Sequence, residues 1–473
     1  MNKLKRFLTS DNENVLAFFN VLGPLLLNGI NFLTLPIFTG LLSTANFGLV
    51  SLYTTWVQVT TVLVGLQTYG AIAPARVHIP EEEHKRFYSS ILSLSLLSSA
   101  AVCAVVLLLI SPISRFLEFP KVVVALILLH SVGMYFVNFA NMKYIHNKQA
   151  FLHFLLSLSV TLLSLGLSLF LVLRVFSGED RYLGRLIGYA APNFAIGAVL
   201  AVLILFRGKT FYNKAFWSYA LKISLPLILH NLSQIILSQS DRVMLQKFTD
   251  DTLVGIYSAI FTIAHIINII YNALNNTWMP VYYDHLKAKE FDRVKQRSRN
   301  YVILFSGLSI GFILLSPEVT RLIVKKASYW EGIPLIPVMV LSFYFIYLYS
   351  FPVNFEFFHK KTGVIAVGTL MAAGVNIACN ALMIPRYGMM GAAVATLISY
   401  AALFVFHYLI AKFAIGGEAF TFRLTLFIPG LISVIAASAI FYLLYDYWIV
   451  RWGIGAAVGV FLLIRLIRQK KIF

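Results

Sequence analysis

Charge is what this chain has least of. Only 12% of its 473 residues are Asp, Glu, Lys or Arg, and acidic groups are the rarer kind, 19 against 38 basic ones. With 59% hydrophobic residues and a mean hydropathy of +0.81, the chain lacks the polar surface that a water-soluble domain needs. Cysteine is nearly absent too. Cys103 and Cys379 are the only two, both sit inside apolar runs, and they read as small packing residues rather than a disulfide or metal pair. Long polar loops are missing, the longest running from about Tyr282 to Arg299, so no loop holds a soluble catalytic domain. No cleavable leader is expected, because Asn2 to Asn14 is polar and the first apolar run has full span length.

What remains is membrane-spanning helix. Runs of about 20 apolar residues recur along the chain, each long enough to cross a bilayer. They are continuously apolar rather than alternating, which argues against a strand barrel and for helices that satisfy their own backbone. Fourteen spans are expected, near 15–38, 47–72, 88–111, 121–142, 151–174, 183–206, 219–243, 253–279, 300–316, 333–356, 363–384, 389–411, 423–445 and 452–468. With the N-terminus inside, the inner side takes 26 of the 38 Lys and Arg. That bias places both termini in the cytoplasm of a multi-pass inner-membrane protein. Basic loops facing anionic lipid headgroups account for most of the +19 charge, and without a soluble module nucleic-acid binding is not expected.

The pattern is written twice. Pro24-Leu25-Leu26-Leu27-Asn28 is echoed by Pro226-Leu227-Ile228-Leu229-His230, and Ile110-Ser111-Pro112 by Leu315-Ser316-Pro317. His146-Asn147-Lys148-Gln149 is echoed by His359-Lys360-Lys361-Thr362. Three echoes in one order point to duplication of a multi-span unit, and internal repeats in a membrane protein point to a transporter with its site between them. Two apparent motifs fail. Gly208-Lys209-Thr210 lacks the earlier glycine of a phosphate-binding loop, Leu203 standing there. Asn275-Asn276-Thr277 is a glycosylation sequon inside a span.

Polar residues within spans carry the functional signal. His230, Gln234, Ser238 and Asp241 share one helix face, with Arg242 next. His265, Asn268, Asn272 and Asn275 form a second stripe, and Asn20, Asn28 and Asn31 a third. The fourth is Thr54, Gln58, Thr61, Gly65 and Thr68, leading to Arg76. Such stripes either line a wet cavity or join helices by hydrogen bonds. Ionisable groups weigh more, because each costs about 2.5–3.5 kcal/mol at the bilayer centre on insertion scales. Arg76, Lys222, Asp241, Arg242 and Glu356 are the notable ones, although Lys222 and Arg76 lie near span ends where long side chains snorkel.

Four stretches carry a family resemblance. They are Leu35-Pro36-Ile37-Phe38-Thr39-Gly40 with Phe47-Gly48-Leu49, Ser240-Asp241-Arg242 through Val254-Gly255-Ile256-Tyr257-Ser258, Trp278-Met279-Pro280, and Ile384-Pro385-Arg386-Tyr387-Gly388. In this order they resemble the bacterial oligosaccharide and polysaccharide flippases of the multidrug/oligosaccharidyl-lipid/polysaccharide exporter superfamily. The resemblance implies an all-α polytopic fold of two parallel six-helix lobes around a central cavity, residues 1–210 and 211–415, with helices 13 and 14 in 416–473. It implies alternating access and a polyprenyl-pyrophosphate-linked oligosaccharide as cargo. Membrane lipids surround the protein, and a polysaccharide polymerase and glycosyltransferases are its expected partners.

On this reading Arg76, Arg242 and Lys222 meet the pyrophosphate, while Asn28, Asn31, His230, Gln234, His265 and Asn272 replace water around sugar hydroxyls. Asp241 and Glu356 are the expected coupling groups to a proton or sodium gradient. No catalytic residue, cofactor or resident metal is expected. A lipid II flippase differs only in headgroup and stays open. A multidrug extruder is disfavoured because spans one and two hold no carboxylate in their interiors, and a membrane enzyme because the outer loops are short.

Overall fold

The computed structural model describes residues 29–30, 32–416 and 420–468. The expectations placed on Asn20, Asn28 and Asn31, and on the Pro24 echo, fall outside the described residues. Among the described residues the chain is all helix, with no strand. The helices are α1 (Phe32–Leu41), α2 (Thr44–Val64), α3 (Ile72–His78), α4 (His84–Leu108), α5 (Ile110–Leu117), α6 (Lys121–His146), α7 (Ala150–Arg174) and α8 (Arg181–Gly208). They continue as α9 (Lys214–Phe248), α10 (Asp251–Ala264), α11 (Ile266–Lys287), α12 (Phe291–Ile323), α13 (Ile336–Phe358), α14 (Thr362–Leu409), α15 (Leu424–Leu443) and α16 (Trp448–Arg468).

Twelve described segments are long and apolar enough to cross a membrane. One of them, Thr362–Ile415, is broken at Gly388 (φ 53°, ψ −131°) into two membrane-length helices. That makes thirteen membrane-length helices among the described residues, roughly the expected fourteen; most of the first expected span, 15–38, lies outside the described residues, which show there the short apolar α1. Outward faces are apolar, with Leu108 83% and Ile467 74% exposed, as lipid contact demands. The chain divides by its contacts into two compact units, Met1–Ile235 and Ile236–Phe473. The dividing line falls inside α9, whereas the sequence reading sets its boundary between 210 and 211.

Local chemistry explains the helix ends. Ser43 accepts from the Asn46 N–H at 3.2 Å to start α2, and Asp250 accepts from the Leu253 N–H at 2.9 Å to start α10. Asn213 Oδ1 accepts from two N–H groups of α9, at 3.0 and 3.1 Å. At the other ends, Lys148, Lys209, Lys289 and Lys360 all take left-handed φ of 49–58°. A positive charge suits a helix C-terminus, although a left-handed turn favours glycine.

The sequence echoes have structural counterparts. After α6, Lys148 N–H bonds to the Ile145 carbonyl at 3.0 Å and Gln149 N–H to Tyr144 at 2.8 Å. After α13, Lys360 N–H bonds to Phe357 at 3.0 Å and Lys361 N–H to Glu356 at 2.9 Å. The same paired closure ends both helices, and it also ends α11 at Lys289 and Glu290. The proline echo diverges. The first copy breaks at Leu109 before α5, while α12 runs through Pro317 to Ile323.

Each unit has its own core. In the first, Val64, Ile72, Phe87, Ile91, Tyr135 and Phe139 pack together. There α6 and α8 touch backbone to backbone, since a Cβ on Gly133 or Gly197 would strike the opposing main chain. Small residues allow this approach in lipid. In the second unit α15 and α16 pack on α12. Arg451 of α16, fully buried, bonds Glu318 of α12 through two nitrogens at 2.5 and 3.2 Å. It also donates to the carbonyls of Leu314 (2.7 Å), Leu444 (3.0 Å) and Tyr445 (3.1 Å).

Candidate functional site

In the first unit, the chain leaves helix geometry after Val64, with Leu66 and Gln67 both at positive φ, and resumes as α3. Gln67 accepts from Asn231 at 3.0 Å. Arg76, half-buried in the last turn of α3, donates through Nη1 to the His146 carbonyl and to Asn147 Oδ1 at 3.0 Å. It therefore caps the C-terminal end of α6, where a cation is favoured. Lys222 and Gln234 are exposed on α9 and His230 is half-exposed.

The polar stripe of α2 divides between its two readings. Thr68 bonds Ser95 at 2.6 Å and Tyr135 at 2.7 Å, and Thr61 bonds its own helix at 2.6 Å. These two join or satisfy helices. Thr54 and Gln58 instead line a cavity of about 340 Å³ within this unit, walled by α2, α6, α7 and α8 with Thr34 of α1.

That cavity contains a group the sequence reading passed over. Arg185 of α8 lines it and is only 4% exposed. Its guanidinium lies 3.6 Å from the Phe38 ring centre and 3.9 Å from that of Tyr189, and Nη2 donates to the Tyr189 hydroxyl. Nη1 is buried with no hydrogen-bond partner among the described residues. Among the described residues no carboxylate lines the cavity. Cation–π contacts contribute about 0.5–2 kcal/mol, whereas a charge in the membrane costs about 2.5–3.5 kcal/mol on insertion scales. The rings thus offset only part of the burial. His130, also lining the cavity, bonds the Tyr53 hydroxyl through Nδ1 at 3.1 Å.

In the second unit Asp241 and Arg242 point apart, as adjacent helical residues must. Asp241 is 1% exposed, and Oδ2 accepts from the Tyr257 hydroxyl and from Thr396 Oγ1 at 3.3 Å. Asn376 donates to Thr396 at 3.5 Å and accepts from Ser240 at 2.5 Å and Asn380 at 3.0 Å. Asp241 Oδ1 and Asn380 Oδ1 are buried without a partner among the described residues. One carboxylate among amide and hydroxyl oxygens is a donor set for a hard cation. No group of three His, Cys, Asp or Glu gathers in a metal-binding arrangement among the described residues.

Arg242 donates to Ser258 at 3.2 Å, to the Ser238 carbonyl at 3.1 Å and to Gln239 at 2.7 Å, and lies 4.4 Å from the Phe261 ring centre. Phe261 stacks on His265 at 5.8 Å, so Arg242 and His265 flank one ring. His265 Nε2 meets Asn268 at 3.0 Å. Asn272 is exposed and bonds its own helix at 2.9 Å. Asn275 accepts from Asn354 of α13 at 3.1 Å and joins helices.

Glu356 of α13 and His407 of α14 are both fully buried and meet at 2.7 Å through Glu356 Oε2 and His407 Nδ1. Glu356 Oε1 and His407 Nε2 have no other partner. Room for the imidazole comes from Gly368, where a Cβ would collide with His407 Nε2. The sequence reading singled out Glu356 and missed His407. It also passed over Asn376, Asn380 and Thr396 around Asp241.

A family model described as polysaccharide biosynthesis protein matches residues 16–284. Among solved structures, the lipid II flippase MurJ in an inward closed conformation superposes with a TM-score of 0.70 at 15% identity, covering 97% of this chain and 100% of its own. A mutant of the Vibrio cholerae MATE transporter VcmN gives 0.52 at 18% identity over 85% of this chain and 99% of its own. A MOP superfamily transporter from Pyrococcus furiosus gives 0.54 at 14%, covering 91% and 98%. At these identities the likeness is one of fold. No curated protein matches the sequence significantly.

Proposed function

The chain belongs to the polysaccharide biosynthesis protein family, and on that footing we propose that it is a flippase for a polyprenyl-pyrophosphate-linked oligosaccharide, the precursor of a cell-surface polysaccharide. It is a multi-pass membrane protein, and its membrane on this reading is the cytoplasmic one, with both termini inside. The single observation that carries the cargo class is buried positive charge without a carboxylate bridge. Arg185 in one unit and Arg242 in the other are 4% and 5% exposed, and neither forms an ion pair among the described residues. A glycan pyrophosphate has the opposite charge and cannot cross hydrocarbon unaided.

In this mechanism Arg242 binds the pyrophosphate through charge-assisted hydrogen bonds, displacing its contacts to Gln239 and Ser258. Arg76 is the second contact, its bonds to the α6 end running through Nη1, and Lys222 a third. His230, Gln234, His265 and Asn272 serve sugar hydroxyls. The lobes alternate access while the polyprenyl tail stays in lipid. Asp241, with Asn376, Asn380 and Thr396, and Glu356, with His407, are the positions where a proton or sodium ion couples to the cycle. The reaction moves a molecule without changing a covalent bond.

Reconstitution in liposomes tests this. A polyprenyl-pyrophosphate glycan loaded in one leaflet should become accessible to a glycan-modifying enzyme on the other. Arg242→Ala should slow this by about tenfold or more, the loss of a hydrogen bond to a charged group. Export of organic cations with no movement of any lipid-linked glycan would establish the extruder instead.

A further inference from the structure

We propose that the cavity inside the first unit is a binding subsite for a sugar bearing an oxyanion, a carboxylate or a phosphate, with Arg185 as its charge partner. Its volume of about 340 Å³ lies at the lower end of small-molecule sites. That suits a sugar residue rather than a whole repeat unit.

The lining specifies the chemistry. Gln58, Asn138, Asn141 and Asn193 bring amides that donate to and accept from hydroxyls. Among the described residues Arg185 is the one always-charged group on the wall, and no carboxylate lines it. Its orientation is fixed in advance, because Phe38 and Tyr189 hold the guanidinium plane at 3.6 and 3.9 Å. Nη1 is buried and unbonded. A buried donor with a full charge asks for an acceptor, and an oxyanion supplies a stronger one than water. A cationic ligand is repelled, and a neutral sugar leaves the charge uncompensated.

This subsite deepens the flippase reading and rests on it only for where the anionic sugar comes from. The carboxylate of an acidic sugar in the glycan and the phosphate next to the first sugar are the two sources.

Ligand-observed NMR titrations of the purified full chain in nanodiscs test it, with glucuronic acid, glucose 1-phosphate and glucose as probes. At least one anionic sugar should bind about tenfold or more tighter than glucose, the worth of one charged hydrogen bond. Binding by glucuronic acid alone assigns the acidic sugar, and binding by glucose 1-phosphate alone assigns the phosphate. Arg185→Gln should erase the preference for charge. Asn138→Leu, which leaves the guanidinium in place, should weaken the anionic sugar about tenfold and serves if Arg185→Gln does not fold. Equal binding of all three probes, or binding of none, overturns the subsite, as does anion binding that survives both substitutions. A protein that flips lipid-linked glycan but prefers no anionic sugar loses the subsite and keeps the function. One that binds anionic sugar and flips nothing loses the function and keeps the subsite.

Discussion

The two units bury charge differently: among the described residues the first buries one arginine and no carboxylate, while the second buries carboxylates as well as Arg242 and Arg451. In the first, every described acidic residue lies in a loop or at a helix end: Glu81, Glu82, Glu83, Glu118, Glu179 and Asp180. Its buried ion is Arg185, lining a polar cavity. In the second, carboxylates go inside. Asp241 and Glu356 are 1% and 0% exposed, and each meets a specific partner on another helix. On the proposed function, the first unit's buried charge serves an anionic ligand alone, whereas the second holds both a contact to the pyrophosphate, Arg242, and the carboxylates that couple a cation or proton.

The largest effect expected from breaking this contrast lies at Arg451. Arg451→Ala takes two hydrogen bonds from Glu318, which keeps only that of Trp452, and the side-chain donor from three carbonyls. Loss of one partner of a fully buried pair costs about 3–5 kcal/mol, and the 23% exposure of Glu318 lowers that. Thermal unfolding should show a markedly lower transition, and α15 and α16 should become sensitive to protease. An unchanged melting profile would mean that α16 docks by apolar packing alone.

Next comes the carboxylate interior. Gly368→Ala pushes a methyl group into His407, an overpacking that costs about 1–3 kcal/mol. It should separate His407 from Glu356. Glu356→Gln keeps the shape and removes the proton site. If the pair couples transport, both variants should flip at the same rate with and without a proton gradient, while the parent responds. A retained gradient response in Glu356→Gln would move coupling to Asp241.

The smallest effect is at the surface. Glu290, between α11 and α12, bonds His285 at 2.5 Å and Arg293 at 2.7 Å. Those contacts, His285 first, hold its carboxyl below the usual glutamate range. A lowered folded value stabilises the protein above the unfolded value and is lost as pH falls through the folded one. The stability difference between the parent and Glu290→Gln should therefore be present near neutral pH and vanish in acid. A difference that grows on acidification would contradict the ion pair.

Much of the fold was legible because lipid imposes simple rules. Apolar runs gave the spans, and the echo at His146 and His359 proved to be a shared helix closure. Helix breaks were less legible. The expected second span, 47–72, leaves helix geometry after Val64, because Gly65 lies against the Tyr135 ring, a contact made by distant sequence. The site was partly legible. Helical period singled out Asp241 and Gln58, and the cost of charge in lipid singled out Arg242 and Glu356, but neither says anything of partners. His407 stands 51 residues from Glu356, and only packing of α13 on α14 joins them. Arg185 was passed over. Its signal was local: Tyr189 follows one turn later, where an aromatic can hold a guanidinium, and Gly184 and Gly188 beside it let a neighbouring helix come close.

The four lysines that close helices in the left-handed conformation join two demands in one residue. Glycine would relax each turn, by something on the order of 1–2 kcal/mol. It would also strip an ammonium from each of four loops that the charge bias assigns to the inner side. The chain therefore tolerates local strain where its inside-out address is written, and substitutions that toughen the folded protein at those corners make its insertion into the bilayer less certain.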